Sequence, residues 1–200
     1  MDINVKRESY RGIALIPLTT ELLSKRVIYL EGKITSELAA EIVREIFLMN
    51  LESNDPIRIF ITSEGGEITS GLAIYDAIQT SKAPIITIVV GFAYSMGAVL
   101  ACSGKKRLIL ENSKMMLHQP LISEFGGNAS EITKLSESLN KTKDKMNKIV
   151  AKHTHKSLKE VSRVTSRDTY FTSEQSLKFG LVDKIVGIDD LVGKEVEHVR

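Results

Sequence analysis

The chain has one cysteine, Cys102, so it forms no internal disulfide, and the apolar stretch around it predicts a buried thiol in a reducing compartment. An excess of either charge is also missing. Twenty-seven basic residues meet 25 acidic ones, a net charge of +2, which gives no electrostatic reason to expect a nucleic acid partner. Residues 1–7 hold no secretory apolar region, and the run Ile13 to Ile16 stops at Pro17, so no targeting segment is expected and the cytoplasm is the expected location. The uncharged stretch from Ala83 to Gly104, followed by Lys105-Lys106-Arg107, has the outline of a membrane span. Its composition argues otherwise. The first half is β-branched, Gly91 interrupts it, and the second half is small and helix-compatible, which predicts a buried strand followed by a buried helix.

With 200 residues and 42% hydrophobic content, the chain suits one ordinary domain with outlying arms. After an irregular start, Val27 to Leu30 reads as a strand. Thr35 or Ser36 caps a helix whose apolar positions are Leu38, Ile42 and Ile46 with Ala39, Val43 and Phe47. The unit then repeats. Ile57 to Ile61 is a strand, Gly65-Gly66 a turn, and Ile68 to Ile78 a helix; Ile85 to Val90 and a helix near Ser95 follow. This alternation predicts parallel strands joined by helical crossovers, hence an α/β domain of stacked βαβ units. Arg107 to Leu110 and Lys114 to Leu117 read as short strands leading to His118-Gln119-Pro120. Ser130 opens a long helix to about His153, with an apolar stripe from Ile132 through Leu135, Leu139, Met146, Ile149 and Val150 that suits burial against another subunit. Capping boxes at Ser157 with Glu160 and Thr172 with Gln175 start two further helices, and Gly180 closes the second before a strand from Leu181 to Val186.

Ser95 lies where a buried strand gives way to a helix, a place where a nucleophile can be exposed. Its surroundings, Ala93-x-Ser95-x-Gly97, approximate the G-x-S-x-G elbow, although small residues there also serve close helix packing. His118 ends a strand in apolar surroundings, which suits either a general base or a half-buried, backbone-bonded imidazole. Asp168, in a connection between two short helices, reads on its own as a solvated acid or a local turn-former. His153 and His155 fall at a helix C-terminus, where the dipole favours imidazolium, and two histidines alone do not make a metal site. Gly65-Gly66 is not followed by the Gly-Lys-Ser/Thr of a phosphate loop. A plain turn and an oxyanion hole remain.

Five stretches in order carry a resemblance to the ClpP family, the proteolytic subunit of the Clp protease, from about Leu22 to Val186. They are Arg26 to Gly32, Gly65-Gly66 with Ile74-Tyr75-Asp76, Ala93-Tyr94-Ser95-Met96-Gly97-Ala98, Met116-Leu117-His118-Gln119-Pro120, and Arg167-Asp168 through Gly180 to Asp183. The resemblance implies a ClpP/crotonase-like spiral of stacked βαβ units with a projecting handle helix. It implies a serine endopeptidase with Ser95 as nucleophile, His118 as base, Asp168 as orienter, and the N–H groups of Gly66 and Met96 as oxyanion hole. It further implies two stacked seven-subunit rings, unfolded polypeptide substrates, and a hexameric AAA+ unfoldase that uses ATP, with no cofactor in this chain. The apolar docking surface would be Phe60, Ile88, Val90, Leu108, Leu110 and Val186.

On the same resemblance, residues 1–21 form an axial arm, 22–120 and 154–186 the head, 121–153 the handle and 187–200 a tail. Several residues depart from the family pattern. Arg58 stands where an aromatic is usual, and Glu64 replaces a proline before the glycine pair, which loosens the expected turn. Leu121-Ile122-Ser123-Glu124 replaces a leucine and glycine pair in the substrate-aligning strand. These changes suggest a divergent paralogue, with a weakly active regulatory subunit in mixed rings as one alternative and a crotonase-type acyl-CoA enzyme as another.

Overall fold

A computed structural model describes residues 3–10, 12–121 and 126–192. Two antiparallel strands, β1 (Asn4–Ser9) and β2 (Gly12–Pro17), form a hairpin that leads into α1 (Leu18–Ser24). The sequence predicts an irregular arm here. The hairpin exposes Ile13 and Leu15, so it carries little of the buried alternation that marks a strand, and an Arg7–Glu21 ion pair ties it to α1.

The α/β alternation then proceeds as expected. It runs β3 (Val27–Ile34), α2 (Ser36–Glu52), β4 (Ile57–Gly66), α3 (Ile68–Thr80), β5 (Ile85–Tyr94), α4 (Met96–Ala101), β6 (Lys106–Leu110) and β7 (Lys114–Leu117). After it come α5 (Ala129–Thr154), α6 (Leu158–Thr165), β8 (Thr169–Phe171), α7 (Ser173–Phe179), β9 (Lys184–Val186) and α8 (Ile188–Val192). Among the described residues the main sheet has seven strands. Its order is β3-β4-β5-β6-β9, all parallel, with β7 parallel to the far end of β5 and β8 antiparallel to β7.

Three strands outrun the sequence reading, β3 running on from Leu30 to Ile34. β5 continues through Gly91 instead of stopping at Val90, because Gly91, at φ 75°, lets the strand leave β6 after Val89 and take up β7 from Phe92 onward. Ser113 bridges the gap. Its Oγ accepts from Gly91 N–H at 2.9 Å and donates to Val89 O at 3.2 Å. Likewise Gly65 and Gly66, expected as a turn, stay in register with Lys33 and Ile34 at the end of β4. Glu64 is an exposed strand residue, and the segment is not loose: Ser63 Oγ donates to Gly32 O at 2.6 Å and accepts from Gly65 N–H at 3.0 Å.

One face of the sheet packs the main core, including Ile28, Leu30, Ile59 and Ile61 against Ile42 and Ile46 of α2 and Ile74 of α3. Phe47 was expected inside with them. It is 65% exposed, beside exposed Leu48 and Leu51, because the buried line of α2 runs through Ala39, Ile42, Ile46 and Met49 and leaves Phe47 to one side. The other face holds a smaller cluster of Ile86, Ile88, Leu108, Val186 and Leu191, flanked by Phe60, Val90 and Leu110.

The long helix α5 is capped by Asn128, not Ser130. Asn128 Oδ1 accepts from Glu131 N–H at 3.1 Å, and Glu131 Oε2 accepts from Asn128 N–H at 2.8 Å. Its apolar stripe is used unevenly: Met146, Ile149 and Val150 are buried, Leu135 and Leu139 partly so, and Ile132 is exposed. The capping boxes of α6 and α7 form as predicted, and Gly180 closes α7 in the left-handed region. No helix among the described residues is long and apolar enough to cross a membrane, and no group of three His, Cys, Asp or Glu there is placed to hold a metal ion. Cys102 is fully buried, and that burial pushes its thiol pKa up to about 12.

Arg107 fastens the end of α5 to the sheet. Its Nη1 donates to His153 O at 2.7 Å and Gly180 O at 2.9 Å, while Nε and Nη2 engage the Asp183 carboxylate. Nearby, the expectation of a charged His153 is overturned. Burial first, then the positive charges of Lys152, Arg107 and His155, hold its pKa down to about 4, and Nε2 lies 3.1 Å from the Tyr75 hydroxyl.

Arg107→Ala should cost about 2–3 kcal/mol, because it strands two carbonyls and a carboxylate at once, and urea unfolding at pH 7 reads the loss. The folded pKa of His153 lies below its ordinary 6.5, so the unfolded state binds its proton first and stability falls as pH drops from about 6.5 to about 4. Half-buried Glu45, raised to about 7 by burial and then Glu41, works in the opposite direction over part of that window. His153→Gln should therefore flatten the acid-side fall by about 1–2 kcal/mol, after discounting for partial exposure, in chemical melts between pH 7 and 4 compared with the parent.

Candidate active site

Ser95 occupies the single residue between β5 and α4, at φ 53° and ψ −122°. A non-glycine residue held there is strained by about 1–3 kcal/mol, so its surroundings must enforce the bend. They do so by close approach. Ser95 N–H donates to Met116 O at 2.9 Å, and Ser95 O accepts from Val99 N–H at 3.2 Å. A Cβ added to Gly65 would sit 2.7 Å from Ser95 Cβ and 3.0 Å from Met96 N, so any other residue would push the turn away. At the second residue of α4, a Cβ on Gly97 would come within 3.1 Å of Ser63 O. The Met96 side chain fills the space that a side chain on Gly71 would need.

Strand register brings the other two residues in. Tyr94 of β5 pairs with Met116 of β7, which sets His118 just beyond Ser95. Leu117 of β7 pairs antiparallel with Thr169 of β8, so the next step of the ladder places His118 opposite Asp168. Residues 23 and 50 positions apart in sequence thus meet at the ends of three paired strands.

His118 Nε2 lies 2.7 Å from Ser95 Oγ. With the hydroxyl donating, Nε2 is the acceptor and the ring proton sits on Nδ1. That Nδ1 is 3.3 Å from Asp168 Oδ1, but it is buried and the contact lacks hydrogen-bond alignment. The Asp168 side chain is 59% exposed against 14% for His118, so the carboxylate has room to turn. A buried donor left without a bond costs about 1–3 kcal/mol, which favours that turn.

Beside the serine and histidine lies a small cavity of about 30 Å³. Ile68, Val99, Pro120, Met146 and Val150 make its walls apolar, and Thr165 Oγ1 donates to Asn147 Oδ1 at 2.9 Å along its edge. Pro120 follows β7 within the His118-Gln119-Pro120 stretch, whereas Ile68, Val99, Met146, Asn147, Val150 and Thr165 come from α3, α4, α5 and α6 and read locally as ordinary helix core.

Of the predicted oxyanion donors, Met96 follows Ser95 as the first residue of α4. Gly66 pairs with Ile34 and backs directly on its main chain, whereas Gly65 makes the close approach to Ser95, a role the sequence did not separate within the pair. The six predicted docking residues all belong to the cluster on the far face of the sheet. Of the four residues Leu121 to Glu124 that depart from the family pattern, Leu121 is exposed, while Ile122, Ser123 and Glu124 lie outside the described residues.

A serine bonded to an imidazole, with a carboxylate beside the other ring nitrogen, is an arrangement able to perform acyl transfer. It sits on a mostly parallel α/β sheet whose helices cross between the strands. The Clp protease family model matches residues 11–189 of this 200-residue chain. Fold, site geometry and match agree, and the chain belongs to the Clp protease family, a family of serine peptidases.

Proposed function

We propose that this chain is a serine endopeptidase in which Ser95 is the nucleophile, His118 the general base and Asp168 the orienting carboxylate. The observation that carries this reading is the 2.7 Å contact between Ser95 Oγ and His118 Nε2 at a strained strand-to-helix turn. Ser95 Oγ attacks the scissile carbonyl as its proton passes to Nε2, and the tetrahedral oxyanion is received by the N–H groups of Gly66 and Met96. Such donors contribute about 3 kcal/mol each. Collapse breaks the C–N bond, with Nε2 returning the proton to the leaving amine. Water then repeats the sequence on the acyl-enzyme, restoring Ser95 and releasing the acid.

Members of this family generally form rings that work with AAA+ unfoldases. For this chain we propose two stacked heptameric rings acting on unfolded polypeptides in the cytoplasm, with ATP consumed by a hexameric unfoldase and no cofactor here. Residues 22–120 and 154–186 would form the head, 1–21 an axial arm, 121–153 a handle and 187–200 a tail. The exposed Ile132 and half-covered Leu135 and Leu139 support the handle, since they leave an apolar stripe for another subunit. The cluster of Phe60, Ile88, Val90, Leu108, Leu110 and Val186 is the proposed unfoldase dock.

The unaligned His118–Asp168 contact favours a second reading, a regulatory subunit that assembles in mixed rings and cleaves little. Treating the assembled protein with a fluorophosphonate and measuring intact mass separates the two. One adduct, absent in Ser95→Ala, is the expected result; no adduct on an assembled particle would favour the regulatory subunit. Asp168→Asn tests the third member. If the carboxylate turns onto Nδ1 during catalysis, kcat for a fluorogenic peptide should fall by roughly 10³–10⁴-fold. A loss under tenfold would remove Asp168 from the mechanism.

A further inference from the structure

The apolar cluster on the far face of the sheet is not open. α8 lies over it, with Leu191 only 5% exposed among Ile86, Ile88, Leu108 and Val186. The helix is five residues long, too short for its own hydrogen bonds to hold it in place. Contacts from outside the helix fix it instead. Arg58 of β4 donates from Nη1 to Leu191 O at 3.0 Å, while its Nη2 reaches Lys25 O at 3.4 Å. Asp190 Oδ2 accepts from Gly187 N–H at 2.9 Å, and Asp190 Oδ1 lies 3.6 Å from Lys184 Nζ. That bond and that charge together hold the Asp190 carboxyl below its ordinary range.

The cover is partial. Ile188 of α8 is exposed, Phe60, Val90 and Leu110 are only partly buried, and Tyr29 stacks on Phe60 with ring centroids 5.2 Å apart while remaining exposed. A cleft of about 530 Å³ continues from Ile188 past Val186 to Leu110 and Gly91. Leu191 therefore fills one end of a larger apolar surface, held by one buried side chain and one charged donor.

We infer that residues 188–192 are a displaceable cover for this face, and that Arg58 is the residue that recognises the main chain of whatever occupies it. The inference rests on the reading of this face as the unfoldase dock and adds an internal competitor to it. A partner segment that displaces α8 has to supply what α8 supplies: an aliphatic side chain in place of Leu191 and a main-chain carbonyl for Arg58. An acidic group opposite Lys184 completes the match. Arg58 thus shifts the surface from purely apolar recognition towards recognition of a carbonyl held beside an apolar anchor.

The test uses Cys102 as an internal clock, since that fully buried thiol, with its pKa near 12, reacts only when the core opens. In the full chain carrying Leu191→Cys, iodoacetamide should label the introduced thiol at least 100-fold faster than Cys102 and at least tenfold slower than free cysteine. Adding Arg58→Met should raise its rate at least threefold and leave Cys102 unchanged. Labelling in step with Cys102 would make α8 part of the core and overturn the inference, and indifference to Arg58→Met would remove Arg58 from it. Because the cysteine itself loosens the anchor, a second measurement uses Leu191→Asp in a chain shown by circular dichroism to stay folded. An apolar dye such as bis-ANS should fluoresce at least threefold more strongly than with the parent, and Phe60→Ser should reduce that gain. Unchanged fluorescence would overturn the cover. Neither readout involves an unfoldase, so an unfoldase that fails to dock on the uncovered face would remove the partner reading while leaving the cover in place.

Discussion

The bend at Ser95 is the constraint on which the site depends. Its backbone is strained, and a strained residue persists only where neighbours leave it nowhere else to go. Here those neighbours are main chain and glycine: Gly65 against Ser95 Cβ, Met116 O on Ser95 N–H, and Gly97 against Ser63. The Met96 side chain, lodged over Gly71, fixes the first turn of α4 against α3. Ser95 is thus held by packing of two βαβ units against each other, and that packing is part of the main hydrophobic core. Stability and reactivity share the same contacts at this point, whereas at Asp168, largely in solvent, they do not.

Much of the architecture was legible in the sequence because buried parallel strands announce themselves by β-branched runs and crossover helices by their 3.6-residue period. The runs Ile57 to Ile61 and Ile85 to Val90 lie in β4 and β5, and the capping boxes at Ser157 and Thr172 start α6 and α7. What escaped was decided by tertiary partners. Gly91 reads as a break, but Ser113 and β7 turn it into a change of pairing partner. His153 reads as a charged helix-end residue, yet burial first, and then the neighbouring charges of Lys152 and Arg107, make charge unfavourable there. Ser95 and His118 were identifiable as candidates from position and from the family motifs. Their meeting with Asp168 required the β5–β7–β8 register, and no local pattern contains it.

The two faces of the sheet carry different duties. One packs the long-range core and delivers Ser95, His118 and Asp168 to the ends of three strands. The other holds a small separate cluster under α8, reached from the same strands β4 and β5. Since β5 pairs with β6 along its first half and with β7 along its second, it belongs to both. Arg58 and Ile59 illustrate the division: adjacent on β4, one reaches Leu191 and the other is fully buried in the main core.

The helix α5 also has a mechanical aspect. Its first 17 residues, before the buried Met146, extend about 26 Å at 1.5 Å per residue, and Met146, Asn147 and Val150 at its root form part of the wall beside Ser95. That makes the helix a long arm with its fulcrum at the cavity beside Ser95. A sideways load at the Ala129 end arrives at the root as torque, with the displacement reduced and the force multiplied. The wall residues are therefore the part of the site most exposed to whatever grips the far end, and Ser95, clamped by main chain and glycine, is the part best insulated from it.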